Sequence, residues 1–557
     1  MYKHIVRENF MCTRLLLASF LVAAVNVVCA APITIQKPSL KEGCYQIGSA
    51  NELFGFAAIV NGTDGMERNS NACGKLVSDI IIRNDVIPGE GAFEENESFW
   101  TPIMNFGGTF DGNNKNIQGL YFRDDTVSEI GLFGSVVGGS SDKPVEIKNV
   151  RISGSYFKGK SNVGVVGLVS GTLSISKVYN VGSSSGQENV GGLIGRVDST
   201  SFVKISNSYN GGPILGYTGS IGGWVGLAEG NVSVTNSYNL GFVYGRSYTG
   251  GLVGNSLKVV VLDNVFNSGV VEGSDHVGGL VGFGRSVVVS NSYNSASIKG
   301  KENVGGLVGD AYALTMTNSF NSGNVSSQLI VGGIVGGVDH GMVLSNVYNS
   351  GEIRCESISG GLVGFVDYAD NGDKYVVANS YNVGKVGPAE AFIGGIFGSK
   401  VENVEVSVKN SFSKERYSEN QDGTVMTDVE FANGTVYEKL RNFNDENADG
   451  GAWLQTLQKD SIPKLSTITV KEFDDVDGSV VQIAFTKPTA PGFRVDVENQ
   501  QLSIFGASVG SAYVLSDLRG RRLSAGRVNM TNFVLDLPHL GAYVLRIGGR
   551  TQMVKSR

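Results

Sequence analysis

The chain has 557 residues, of which 78 are glycine and only 11 are proline, so it is neither collagen-like nor a proline-rich linker. Charged residues make up 17% and apolar residues 41% of the chain, a composition that argues against intrinsic disorder. The net charge of −7 argues against general nucleic-acid binding, which requires a concentrated basic surface.

The first 30 residues have the pattern of a secretory signal peptide, in which a basic flank precedes an apolar run from 15 to 28. We expect cleavage near Ala30 and a secreted or outer-membrane-surface protein. Met11 is an alternative start, and Cys29 leaves lipidation open as the less favoured alternative. No second segment is long enough to span a membrane, so the sequence predicts no transmembrane span in the mature chain.

Residues 31–100 are irregular, and we assign them to an N-terminal cap, because a bare terminal coil of a repeat would expose unpaired strand edges. Three cysteines follow the signal, at positions 44, 73 and 355. Export to an oxidising compartment favours a disulfide between Cys44 and Cys73. Cys355 is then free, and we expect it to be buried.

A repeat of about 28 residues dominates residues 101–415. One half reads Val-Gly-Gly-Leu-Val-Gly and the other reads Asn-Ser-Tyr-Asn-Ser-Gly. The leading glycines of the first half, or of its variants, lie at positions 164, 191, 222, 250, 278, 305, 332, 360 and 394. A fixed period of this length predicts a stacked solenoid, and the paired glycines allow neighbouring strands to approach closely.

The segment that leads into each Asn-Ser-Tyr-Asn alternates with period two, as expected of a strand. One parity carries two apolar residues, then asparagine, then an aromatic residue, and we expect all of them to face the core. The predicted asparagine ladder is Asn207, Asn236, Asn264, Asn291, Asn318, Asn346 and Asn379. The predicted aromatic ladder is Tyr209, Tyr238, Phe266, Tyr293, Phe320, Tyr348 and Tyr381. Because Phe replaces Tyr freely, core packing is favoured for these rings over a strip that stacks on sugars.

The repeated Gly-Leu-any-Gly resembles the GLUG motif. The matching positions are Gly131–Gly134, Gly192–Gly195, Gly251–Gly254, Gly279–Gly282, Gly306–Gly309 and Gly361–Gly364. The resemblance covers roughly residues 100–415 and implies a secreted or surface bacterial protein, a class that includes adhesins and regions attached to secreted peptidases. It implies no catalytic residues.

Residues 416–487 are predicted to close the solenoid, with Trp453 covering the last coil. Residues 488–557 then show the strand and turn patterns of a small antiparallel β-sandwich. This tail resembles the C-terminal sorting domain of type IX secretion at Asp517, Gly520, Arg521, Gly541, Tyr543 and Arg546. The resemblance implies the type IX secretion machinery as a partner, followed by release or anchoring at the surface. The whole chain is therefore predicted to be all-β, a right-handed parallel β-solenoid followed by this sandwich.

Candidate catalytic and metal-binding residues are few. His276 and His340 are expected in turns and lack the partner spacing of a metal site or a nucleophile triad. Asp339 and Asp367 each lie seven residues after a leading glycine, so they should stack on adjacent coils, close enough to share a cation or to raise one pKa. Asp370 and Asp373 crowd the same loop as Asp367. Solvated turns are favoured for these aspartates, with calcium binding and catalysis as the alternatives.

These features together predict a non-catalytic adhesin or scaffold. It would bind polysaccharide, or a host or cell surface, by multivalent contact along a rigid repetitive face. The alternatives are a carbohydrate-active β-helix enzyme (a polysaccharide lyase or hydrolase) and a passive stalk or targeting region.

Overall fold

The computed structural model describes most of the chain between residues 33 and 556. The described residues are 33–83, 86, 100–368, 373–387, 392–402, 404–417, 423–447, 453–465, 472–473, 480–481, 494–498, 501–505, 512–517, 522–527, 532–536, 541–547 and 550–556. The predicted signal segment lies outside them. No helix in the described part of the chain is both long and apolar enough to cross a membrane.

A parallel β-solenoid of about 12 turns, spaced about 28 residues apart, confirms the predicted fold class. Its first sheet has 26 strands: Ser39–Lys41, Cys44–Ile47, Cys73–Leu76, Ile80–Ile81, Thr109–Gln118, Phe133–Gly138, Val145–Ser153, Val166–Asn180, Ile194–Val197, Phe202–Ser206, Tyr209–Asn210, Val225–Ala228, Asn231–Asn239, Val253–Asn267, Val281–Ser290, Tyr293–Asn294, Val308–Asn321, Val335–Val338, Met342–Asn349, Val363–Val366, Tyr375–Ala378, Tyr381–Asn382, Phe397–Lys400, Val406–Lys409, Phe412–Ser413 and Thr424–Val425.

Two further sheets complete each coil. The nine strands of the second sheet are Ser161–Val163, Glu188–Gly191, Ile221–Gly222, Ser247–Gly250, Asp275–Gly278, Glu302–Gly305, Ile330–Gly332, Ile358–Gly360 and Phe392–Gly394. The nine strands of the third sheet are Tyr121–Arg123, Tyr156–Lys158, Ser183–Gly186, Ile214–Gly216, Val243–Tyr244, Val271–Glu272, Ile298–Lys299, Val325–Ser326 and Ile353–Arg354. Neighbouring strands of both sheets pair in parallel. In the second sheet, leading glycines are register partners, as Gly250 and Gly278 are.

Parallel stacking begins at Cys44–Ile47, inside the segment that the sequence assigned to the cap. A disulfide joins Cys44 to Cys73, which are register partners with their Cα atoms 4.5 Å apart. Helix Ala50–Asn61 follows the first of these strands in the chain. The Ser49 side chain caps its start, and Gly62, with a φ of 71°, ends it. Cys355 is a free thiol and is buried.

The main core consists of the inward-facing apolar residues of all three sheets. Val260 and Leu262 of the first sheet are fully buried, as predicted, and so are Leu252 and Leu280 of the glycine motif. The paired glycines are needed because backbones meet there. A Cβ on Gly251 would lie 2.0 Å from the Gly279 carbonyl oxygen, a distance that no side chain tolerates.

The sequence placed the core-facing asparagine ladder at the first asparagine of each motif, and this prediction is wrong. The seven predicted residues have φ between 48° and 54°, so the chain turns a left-handed corner at each of them. Asparagine tolerates this conformation better than most residues, and Lys177 adopts it on the preceding coil, with a φ of 53°. Most of these asparagines remain partly exposed; Asn346 and Asn379 are buried. We name these seven residues the corner asparagines.

The buried ladder is formed instead by the second asparagine of each motif. We name these residues, which are at most 1% exposed, the buried asparagine column: Asn180, Asn210, Asn239, Asn267, Asn294, Asn321, Asn349 and Asn382. From Asn180 to Asn349, each Nδ2 donates to the Oδ1 of the next asparagine at 2.8 to 3.0 Å. Each Nδ2 also donates to the carbonyl two residues further on, as Asn267 does to Gly269. The amides are thus satisfied in series.

The aromatic ladder is buried but does not belong to the main core. The corner asparagine shifts the alternation by one residue, so the rings form a second apolar cluster. Successive rings from Tyr209 to Tyr381 stack 4.7 to 5.2 Å apart and are at most 8% exposed. Because the rings are buried, the alternative of a sugar-stacking strip is wrong.

Two helices and a hairpin follow the last parallel pair. Helix Asp428–Ala432 begins with a capping box between Thr427 and Glu430, and helix Thr435–Asn447 follows it. Strand Trp453–Leu454 pairs antiparallel with Lys464–Leu465. The ring of Trp453 lies 5.5 Å from that of Tyr381, and its Nε1 donates to Asn346 Oδ1 at 3.1 Å. The segment therefore packs against the aromatic ladder of the last coils.

The tail consists of antiparallel sheets, as predicted. Strand Glu472–Phe473 pairs with Val480–Val481; a three-stranded sheet contains Arg494–Glu498, Gln501–Phe505 and Asn532–Asp536; and a four-stranded sheet contains Arg522–Arg527, Ala512–Asp517, Gly541–Ile547 and Arg550–Ser556. Leu502, Leu515, Leu545 and Ile547 are buried.

Candidate binding surface

Four large side chains stack on the outer face of four consecutive coils. Arg285 Cζ lies 5.5 Å from the centre of the Tyr312 ring. The Tyr312 and His340 rings stack at 4.0 Å, and the His340 and Tyr368 rings lie 4.7 Å apart at an angle of 54°. We name these four residues the His340 ladder. They line up because each lies seven or eight residues after its leading glycine.

The His340 ladder is accessible to solvent, whereas the buried aromatic ladder is not. Tyr312 is 38% exposed and Tyr368 is 51% exposed. Arg285 and His340 both contact the Tyr312 ring, and the residue remains exposed beside them. The ladder therefore offers hydrogen-bonding edges and rigid rings to a partner.

Carboxylates flank this ladder, and two of them lie on adjacent coils as the sequence predicted. Asp339 and Asp367 lie on adjacent coils, directly after the register partners Val338 and Val366. Burial raises the pKa of Asp339 from 3.8 to about 6, and the charges of Asp310 and Asp367 add to that rise. His340 and His276 act in the opposite direction. The side chain of Asp339 therefore titrates close to neutral pH.

His340 has a carboxylate partner from the next loop. Its Nδ1 lies 3.2 Å from Asp373 Oδ2, so the sequence-based expectation of a simple turn residue omitted a hydrogen bond. Tyr375 donates its hydroxyl proton to the carbonyl of Asp339 and contacts the carbonyl of Tyr368 in the same way. These contacts fix the loop on the ladder. Asp370, predicted in this loop, lies outside the described residues.

Asp310 and His276 form a second pair next to the ladder that sequence reasoning missed. Asp310 is 6% exposed, and its Oδ2 lies 3.2 Å from His276 Nε2 and accepts from Asn303 Nδ2 at 3.2 Å. Its Oδ1 is buried and has no hydrogen-bond partner. His276 lies in strand Asp275–Gly278 with a φ of 53°, not in the predicted turn. The repeat carries a signal for this conformation: two residues before the leading glycine, Asn189 and Asn303 on other coils also have positive φ.

The predicted metal ligands do not assemble into one cluster within the described ranges. There, no group of three or more His, Cys, Asp and Glu side chains is close enough to hold a metal ion.

The sorting-domain residues fall on the tail sheets where they are described. Asp517 ends strand Ala512–Asp517 and is the register partner of Tyr543. Gly541 and Arg546 lie on the same strand as Tyr543. Gly520 and Arg521 lie outside the described residues.

No family model matches the chain, and no curated protein matches it either. Among solved structures, the chain is similar to a crystal structure described as a putative immunoglobulin A1 protease from Bacteroides ovatus. The two are 14% identical, with a TM-score of 0.28, and the similarity covers 76% of this chain and 92% of the other. At this TM-score the similarity supports no conclusion about the fold or activity of this chain.

Proposed function

We propose that this protein is a secreted or cell-surface scaffold that binds carbohydrate without catalysis, through the His340 ladder. The supporting observation is a row of exposed rings, a guanidinium and carboxylates on four consecutive coils. Sugar hydroxyls both donate and accept hydrogen bonds, and this row supplies both kinds of partner.

The rigid repeat makes weak contacts add up. Coils stack about 4.8 Å apart, so a ladder of four coils extends over roughly 15 Å. A polymer that lies along it would contact several of these groups at once, and each further contact becomes intramolecular. Because main-chain hydrogen bonds between coils hold these groups, little conformational entropy is lost on binding.

The test is retention on a panel of insoluble and arrayed glycans. A Tyr312→Ala, Tyr368→Ala double variant should reduce retention at least about tenfold, the loss expected when two contact residues are truncated. The matched control is Tyr217→Ala with Tyr244→Ala, because Tyr217 and Tyr244 are 56% and 43% exposed on other parts of the coil. Equal retention of both double variants, or no retention of the unaltered chain on any glycan, would overturn the proposal.

One observation favours a second candidate, a carbohydrate-active enzyme. The pKa of Asp339, about 6, suits a general acid near neutral pH, and Asp310 and Asp367 lie close enough to act on it. Reducing-sugar release from polysaccharides would support this candidate if Asp339→Asn abolishes it. Retention of glycans without any release supports the scaffold.

We also propose that the tail from residue 488 directs export through the type IX machinery. The supporting features are its antiparallel sheets and the pairing of Asp517 with Tyr543 in register. Removing residues 488–557 should leave the protein in the periplasm, whereas the full chain should reach the surface or the medium. Surface display of the truncated chain would contradict this assignment, and intact mass of the exported protein would show whether the tail is removed.

A further inference from the structure

The His340 ladder lies in a surplus of negative charge. Asp310, Asp339, Asp367 and Asp373 all lie on or next to it. The permanent cations named against them are fewer: Arg285 within the ladder, Lys374 directly after Asp373, and Lys400, the register partner of Val366. The two histidines carry charge only when protonated, and each already faces one of these carboxylates. A neutral sugar would leave this imbalance unchanged.

Asp310 contributes part of this negative charge from a buried position. Its side chain is more than nine-tenths buried, and Oδ1 has no hydrogen-bond partner. The next coil places Gly337 above it, where even a Cβ would come within 3.0 Å of that oxygen. Burial raises the pKa of Asp339, and the charge of Asp310 adds to that rise.

We propose that the glycan bound by the His340 ladder carries protonated amino groups, as in oligomers of β-linked glucosamine. This inference depends on the proposed function. An ammonium group donates up to three hydrogen bonds and is strongest with ionised acceptors. Asp339 and Asp367, on adjacent coils, would each receive an amino group of a chain that lies along the ladder.

The like-charge repulsion around Asp339 supports this ligand class. At neutral pH its carboxylate ionises against the charges of Asp310 and Asp367, with His340 and His276 as the opposing groups. A ligand cation placed between Asp339 and Asp367 relieves that repulsion.

Titration calorimetry of the full chain with glucosamine oligomers, and with N-acetylated oligomers of the same length, tests the inference at pH 6. We expect the amino oligomer to bind at least about tenfold more tightly, and the preference to shrink as salt is raised from 0.1 to about 0.5 M. Asp339→Asn with Asp367→Asn should remove the preference. The exposed Glu302 on the second sheet provides the control, Glu302→Gln.

The outcomes separate the two proposals. If both oligomers bind equally, or the double aspartate variant keeps the preference, the inference about amino groups is overturned while glycan binding stands. If neither these nor other glycans bind, the proposed function fails too. Loss of binding in a metal chelator would also overturn it, because a cation would then bridge the acids and the sugar.

Discussion

Two columns of like side chains run along this solenoid with opposite consequences. In the buried asparagine column, every amide bonds to the amide above it at 2.8 to 3.0 Å. At the surface, Asp339 and Asp367 also follow one another on adjacent coils. There burial raises the pKa of Asp339 to about 6, and the charges of Asp310 and Asp367 add to the rise. An amide donates and accepts, so a column of amides is satisfied, whereas a carboxylate only accepts and repels its neighbour.

The difference shows what a stacked fold demands of its sequence. In a stacked fold, each side chain lies next to its counterpart on the following coil, so an attraction or a repulsion between like side chains recurs along the stack. Residues that can pair with copies of themselves are therefore suited to the interior of the solenoid. Residues that cannot do so are stable only where solvent or a ligand screens them, which is where these aspartates lie.

Asn267→Asp should be the most destabilising substitution, because it places a carboxylate, the group of the surface column, in the buried asparagine column. Its new oxygen would face Asn294 Oδ1 and the Gly269 carbonyl, both of which are acceptors. We expect a loss of about 3 to 5 kcal/mol in the free energy of unfolding at pH 7. Denaturant unfolding should show part of this loss recovered at pH 4, where the acid is protonated and can donate. The reference is the unaltered chain, because asparagine has nearly the same shape as aspartate. A stability that does not depend on pH would contradict the account.

Gly251→Ala tests why the amide column is so close to its neighbours. The new Cβ would lie 2.0 Å from the Gly279 carbonyl oxygen and 2.6 Å from Asn267 Cγ. Since backbone has to move, we expect a loss of about 2 to 3 kcal/mol by denaturant unfolding. Gly138→Ala is not a suitable control, because Gly138 has a φ of 83°. Gly48→Ala is suitable, since its Cβ would meet only side-chain atoms, the nearest at 3.0 Å.

Asn264→Ala separates the corner from the column. Asn264 has a φ of 53° and bonds to Asn236 Oδ1 at 2.7 Å near the surface. We expect a loss of about 1 to 2 kcal/mol, mostly because alanine is disfavoured in the left-handed region. Asn264→Gly, which relieves that strain, should restore most of the stability. If glycine proves no better than alanine, the hydrogen bond outweighs the backbone conformation.

Asp339→Asn should have the smallest effect and the opposite sign. The folded-state pKa is about 6 against an ordinary 3.8, so the folded protein binds the proton more tightly and loses stability as pH rises between those values. Removing the charge should therefore stabilise the protein at pH 7.5 by roughly 1 kcal/mol, after allowance for its partial exposure, and change little at pH 4. Thermal unfolding at both pH values, with Glu302→Gln as control, measures this. Destabilisation at pH 7.5 would contradict it.

The repeat made much of the fold predictable. A fixed spacing of leading glycines indicates superimposed coils, and the inward apolar pair of each strand, as at Val260 and Leu262, follows from period two. The left-handed corner was not predictable in the same way, because counting alternate residues assumes extended backbone throughout. One positive φ at Asn264 reverses the parity of everything after it in that strand, which is why the buried asparagine is Asn267.

The candidate surface was only half predictable. Asp339 and Asp367 could be found because both lie seven residues after a leading glycine. Tyr312 and His340 occupy related positions but differ in residue type, so no repeated letter marks them. The left-handed backbone of His276 recurs at Asn189 and Asn303, the same place in other coils, but its pairing with Asp310 joins two coils and no local pattern marks it.

The Cys44–Cys73 link has a mechanical consequence. The two cysteines are register partners 29 residues apart, so the bond ties the first turn of the stack to the second. A structure held by nearest-neighbour contacts frays from its ends, where each turn has one neighbour instead of two. With one end clamped covalently, unravelling under load has a preferred direction, from the carboxyl-terminal turns inward, until a reductant opens the other end.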